Sequence, residues 1–175
     1  AGSEGLLEAD GVYPALNVTW FATDDIQLRF GYSQTVSYPG LIERSASQSY
    51  DPTTDDPIFG SPNLMVSDID NIDLRLEYYF GAENRVSLAL FNKDISNPIE
   101  RAIPDAAGIT FRNQESAELN GIELDFSTLL IDTDVHSVFF SGNISYIDSE
   151  VMLGAKFLQL EGQGSNGRQL QGQSE

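Results

Sequence analysis

Six side chains in one long polar stretch, Tyr38, Tyr50, Asp51, Asp55, Asp56 and Phe59, combine rings with carboxylates, a mixture that can grip a polar ligand or a cation. The plainer alternative is a solvated acidic loop, because loops are ordinarily polar. Asp132-Thr133-Asp134 and Asp68-Ile69-Asp70 also gather acids, but both lack the glycine and distal glutamate of a calcium hand, so no metal site is expected. His136 is the single histidine, there is no cysteine, and no Gly-x-Ser-x-Gly elbow offers a nucleophile. No acid, base and nucleophile converge, and an enzyme is not expected. Gly162-Gln163-Gly164-Ser165-Asn166-Gly167 spells the dinucleotide fingerprint, yet no helical pattern follows and the chain stops before an acidic ribose partner. A flexible loop is expected there, and no cofactor. The sequons at Asn17 and Asn143 fall inside extended runs, where a glycan is awkward.

Charge excludes another class. The 27 acidic against 9 basic residues give a formal charge of -18, which repels nucleic-acid phosphates. With 41% hydrophobic and 10% aromatic residues, the 175-residue chain has the composition of one ordered domain spanning 1–175. No stretch approaches the roughly 20 apolar residues of a membrane helix, and the first residues lack a basic-then-apolar leader. The run Arg168 to Glu175 ends without capping or turn logic, so the chain is expected to be an internal piece of a longer protein.

The elements that must position these residues are strands. In Asn71 to Phe80, Ile72, Leu74, Leu76, Tyr78 and Phe80 share one face while Asp73, Arg75, Glu77 and Tyr79 share the other. Similar runs are expected at Val12 to Phe21, Ile26 to Val36, Arg85 to Asp94, Leu119 to Leu130 and Val135 to Ile147. Short turns join them near residues 23, 82 and 133, and long excursions cover about 37–67, 96–116 and 148–170, the middle one carrying a hairpin that projects beyond the sheet. All short turns thus fall at one end. The expected fold is all-β, an antiparallel up-and-down meander of about six long strands, each near the ~9–11 residues of a tilted membrane strand, forming part of a transmembrane β-barrel.

The residues that carry the closest likeness are Gln27 to Pro39, Gly60 to Leu64, Asp70 to Phe80, Phe91 to Glu100, Asn120 to Phe126 and Leu170 to Ser174. In that order they resemble the barrel of TonB-dependent outer-membrane receptors. The resemblance implies a ligand-gated importer in the outer membrane of a Gram-negative bacterium, closed by a plug domain and driven by the TonB energy-transducing protein. No plug is present in this stretch. The chain is therefore expected to be wall and extracellular loop of a receptor importing a scarce ligand: siderophore, cobalamin, carbohydrate or peptide. Arg29, Asp73, Arg75, Glu77, Glu123 and Asp125 would then face the lumen, either lining the ligand path and contacting the plug or keeping the wall wet and cross-strand paired. Alone, such a wall should self-associate through its apolar face and free edges. The rival is a secreted soluble β-sandwich that binds carbohydrate, suggested by the alternation, the tyrosines and the acidity.

Overall fold

The computed structural model describes residues 11–81, 83–105, 108–154 and 167–171. Six long strands make the wall: β1 (Ala15–Phe21), β2 (Ile26–Ser37), β5 (Ser67–Phe80), β6 (Asn84–Ser96), β9 (Ser116–Asp132) and β10 (Ser137–Met152). They pair antiparallel in the order β1-β2-β5-β6-β9-β10, and a two-residue strand, β11 (Gly167–Arg168), joins the end of β10. The barrel is not closed within this chain.

Between the wall strands lie a one-turn helix, α1 (Leu41–Arg44), and four short strands, β3 (Gln48–Tyr50), β4 (Pro57–Phe59), β7 (Ile99–Asp105) and β8 (Gly108–Asn113). These strands form a second sheet in the order β3-β4-β8-β7. The stretch 37–67 is thus partly built rather than a bare loop. The hairpin of the middle excursion exists, and β4 adds to it in parallel through Ile58 opposite Ile109.

Each short turn has a local cause. The amides of Asp25 and Ile26 donate to the Thr23 hydroxyl at 3.2 and 3.0 Å, and His136 donates to Thr133 Oγ1 at 2.9 Å, so a threonine closes both turns. Asp132 serves the same turn by accepting from the Ser137 hydroxyl at 2.9 Å. Gly81 takes a φ of 65°, the left-handed value that a turn there requires. Asn84 then ties this turn to the wall by accepting from the Leu129 amide and the Thr128 hydroxyl, each at 2.8 Å.

Register carries each face across the sheet. Leu28, Leu76, Leu88, Leu124 and Ile144 fall in one row, and Gln27, Glu77, Ser87, Asp125 and Asn143 in a row on the other face. Burial is inverted relative to a soluble protein. Glu77 is 3% exposed and Ser87 2%, whereas Leu76 is 45% and Ile144 64% exposed. The one cluster of buried aliphatics, among the described residues, lies at the long-loop end, where Ala117, Val151 and Leu153 pack with Ile95 and Leu170.

Candidate functional site

The polar face is organised by Glu77. Its carboxylate accepts from the Gln27 side chain, from Arg29 Nε at 3.0 Å, from Arg75 Nε at 3.1 Å and from the Tyr79 hydroxyl at 3.3 Å. Arg75 then extends the lattice: its Nη2 donates to the Ser87 hydroxyl at 2.8 Å and to Asp125 Oδ2 at 2.7 Å. Asp125 Oδ1 accepts in turn from Asn143 at 2.7 Å. One connected network therefore crosses β2, β5, β6, β9 and β10. Charge-assisted bonds of this length are the strong ones, and their mutual satisfaction holds neighbouring strands in register.

Four of the six residues expected on this face, Arg29, Arg75, Glu77 and Asp125, join the network. Asp73 and Glu123 lie on the same face without an ion pair among the described residues; their register partners are Gly31 and Phe91, and Ala89 and Ser145. The network members that sequence reasoning missed, Gln27, Ser87 and Asn143, are neutral and sit in the strand alternation like any other polar residue. Lys93 lies outside this network on the same face, where it donates to Asn71 Oδ1 at 2.7 Å.

At the long-loop end the six ring and carboxylate residues separate. Tyr50 and Phe59 share one face of the β3-β4 pair, where Tyr50 accepts from Gln48 at 3.1 Å. Both are exposed, as is Tyr38, which lies beyond the end of β2. Asp51 is a structural anchor: Oδ1 accepts from the Thr53 amide at 2.9 Å, while Oδ2 meets Arg101 Nη2 of β7 at 2.7 Å. These contacts, the Thr53 amide first and Arg101 next, hold the Asp51 carboxyl below its ordinary value. Asp55 sits at φ 60° in the turn that Asp51 closes, with Asp55 N–H donating to the Asp51 carbonyl at 2.9 Å. Asp56 is exposed.

A further anchor had no local signal. Arg168 grips Glu100 through both nitrogens, at 2.7 and 3.3 Å, and Gln171 pairs with the Arg101 backbone in both directions. Glu100 is 5% exposed, so this pair pins β7 to the tail that follows the wall. The fingerprint-like run 162–167 lies outside the described residues except for Gly167, which opens β11 and pairs with Met152 of β10. No group of three or more metal-binding side chains occurs among the described residues. No described helix is long and apolar enough to cross a membrane, which says nothing of strands.

The arrangement matches known proteins over most of its length. The siderophore receptor PirA from Pseudomonas aeruginosa has 20% identity and a TM-score of 0.61, with 81% of this chain and 26% of that chain covered. The ferric enterobactin receptor PfeA mutant R480A from Pseudomonas aeruginosa, solved with enterobactin, has 20% identity and a TM-score of 0.57, covering 81% and 25%. PirA from Acinetobacter baumannii has 14% identity and a TM-score of 0.53, covering 82% and 26%. The chain thus spans about a quarter of the length of these receptors. No curated protein sequence matches it. The family model described as TonB dependent receptor-like, beta-barrel, matches residues 3–174, and the chain belongs to that family.

Proposed function

We propose that this chain is the barrel wall and extracellular-loop segment of an outer-membrane receptor that imports a scarce ligand by TonB-dependent active transport in a Gram-negative bacterium. The observation that carries this reading is the inverted burial: leucines face outward in unbroken rows while a satisfied ionic lattice covers the opposite face. That distribution suits lipid on one side and a wet lumen on the other. A soluble carbohydrate-binding sandwich would need a second sheet on the leucine rows, and those rows are exposed here.

In the intact receptor the Glu77–Arg75–Asp125 lattice faces the receptor's own plug and stiffens the wall against it. Tyr38, Tyr50, Asp55, Asp56 and Phe59 stand at the outer mouth as candidate ligand contacts, with Asp51 holding their loop in place. Among siderophore, cobalamin, carbohydrate and peptide, a ferric siderophore is favoured by the ligand class of PirA and PfeA. The piece supplies walls and loops, and the energy comes from the inner-membrane partner through TonB.

The test is binding and uptake by the intact receptor. Purified receptor should bind ferric siderophores, and its deletion should remove uptake of radiolabelled iron from the matching siderophore. Binding of cobalamin or an oligosaccharide instead would keep the transport role and overturn the ligand class. An intact protein that partitions to the soluble fraction would overturn the role itself.

A further inference from the structure

The β7-β8 hairpin touches both of the other excursions at the outer end. On the 37–67 side, Ile58 pairs in parallel with Ile109. Beside that bridge the Met65 amide donates to Asn113 Oδ1 at 2.8 Å, and Asn113 Nδ2 donates back to the Met65 carbonyl at 3.0 Å. On the other side comes the tail 167–171, which the wall also holds. There the Leu170 amide donates to the Ser149 hydroxyl at 3.1 Å, and Leu170 packs against the Ala117, Val151 and Leu153 cluster.

Two adjacent residues of β7 make the remaining ties. Glu100 takes both Arg168 nitrogens and accepts from the Gln171 amide at 3.3 Å. Arg101 sends its guanidinium to Asp51, while its backbone N–H donates to Gln171 Oε1 at 3.2 Å and its carbonyl accepts from Gln171 Nε2 at 2.7 Å. Successive side chains of a strand face opposite ways. β7 therefore grips the following excursion with one face and the preceding excursion with the other, and the Gln171 amide occupies its edge as a neighbouring strand would. Among the described residues, Ala102 and Ile109 are the buried aliphatics of the hairpin. A two-stranded hairpin is marginal in water by itself, so its order depends on what it holds.

We propose that β7 is a clasp that makes the three long excursions one cooperative cap, so that 37–67, the hairpin and 167–171 open together rather than as independent loops. Losing either tie loosens the hairpin, and a loosened hairpin releases the other excursion. Local unfolding in such contiguous units is a general property of folded chains, and here the unit is joined by side chains across a gap of more than fifty residues on either side of β7 to its farthest partners. Where Tyr50 and Phe59 contact ligand, as proposed above, that contact also steadies the tail without touching it. The cap itself requires neither a particular ligand nor the lipid face.

The test is amide exchange by mass spectrometry on the intact receptor in nanodiscs. The amides of Asp51 and Asp55, bonded to Asp56 and Asp51, report on one excursion, and those of Leu170 and Gln171 report on the other. Glu100→Gln removes the charge that Arg168 meets in a buried pair. Exchange should rise several-fold, by the same factor, at 51–56 and at 167–171, with residues 72–80 of the wall unchanged. Asp51→Asn, which touches only the far excursion, should raise exchange at 167–171 in turn, and it serves as the independent measurement if Glu100→Gln does not fold. A rise confined to the mutated excursion in either variant overturns the proposal. So does no rise at all, or a rise that includes 72–80, which would make the cap part of the wall's own unfolding.

Discussion

Arg75 and Asp125 form a 2.7 Å ion pair across a whole intervening strand, and the Ser87 hydroxyl of that strand accepts from the arginine at 2.8 Å while donating to the aspartate at 3.3 Å. Three strands are thereby stitched by side chains in addition to their backbone ladder. Such a bridge suits a wall whose polar face has no hydrophobic core to set its register.

Removing Arg75 should therefore cost the lattice more than removing a side chain at its rim. Arg75→Ala removes partners from both Glu77 and Asp125, and Glu77 is nearly buried; the expected loss is about 1–3 kcal/mol of unfolding free energy. Arg29→Ala should lose less, because that side chain is half exposed. Urea unfolding of the two variants in lipid checks the order, and equal losses would contradict it.

Gly121 is a packing position. A Cβ there would collide with the Phe91 ring, its register partner on β6, so the aromatic lies over the glycine. Gly121→Val should destabilise by about 1–3 kcal/mol, and adding Phe91→Ala should return part of that loss by vacating the space. A double variant no better than Gly121→Val, by urea midpoint, would remove this explanation.

The loop anchored by Asp51 should be insensitive to pH across the neutral range. Because its carboxyl lies below the ordinary value of 3.8, the folded state favours the ionised form. The contribution is fully present above that ordinary value and fades as pH falls through the lower folded value. Amide exchange of residues 51–56 should stay level from pH 8 to 5 after correction for intrinsic rate, then rise only in stronger acid. Asp51→Asn should show the raised exchange already at pH 7.

The wall was legible in the sequence because alternation at period two reads directly as two faces, and Ile72 to Phe80 opposite Asp73 to Tyr79 is as clear as such patterns become. The outer ends were not. Strands β5, β9 and β10 run to Ser67, Ser116 and Met152, past Asp68, Glu118, Asp148 and Glu150 on the face that is apolar lower down, while Ile69, Ala117 and Val151 take the other face, so the alternation inverts and no longer reads as a continuation of the same strand. β3 and β4 are three residues each and β4 begins at a proline, so composition alone marked them as loop. The polar face could be expected as a set, but the choice of Glu77 over Asp73 as its hub depends on which guanidinium reaches across the register, a property of pairing that the linear chain does not display.

The isolated chain should not remain a monomer in water. Among the described residues β1 ends the sheet with no strand on its outer edge, and the leucine rows are open, so association through face and edge removes both from solvent. Light scattering coupled to size exclusion should show an oligomer that detergent disperses. A compact monomer unaffected by detergent would contradict the wall reading.

A charge scan across one pair of rows separates the two faces most directly. Leu88 lies in the central leucine row, flanked by Leu76 and Leu124, so an arginine there meets lipid near the middle of the apolar band. Leu88→Arg should lower stability in the bilayer by about 2–4 kcal/mol. Ser145 lies on the opposite face beside Glu123, where an arginine gains water and a carboxylate, so Ser145→Arg should stay within about 0.5 kcal/mol of the parent. Urea titration in lipid vesicles measures both. Similar losses at the two positions would mean that the faces are not lipid and lumen, and the inverted burial would need another cause.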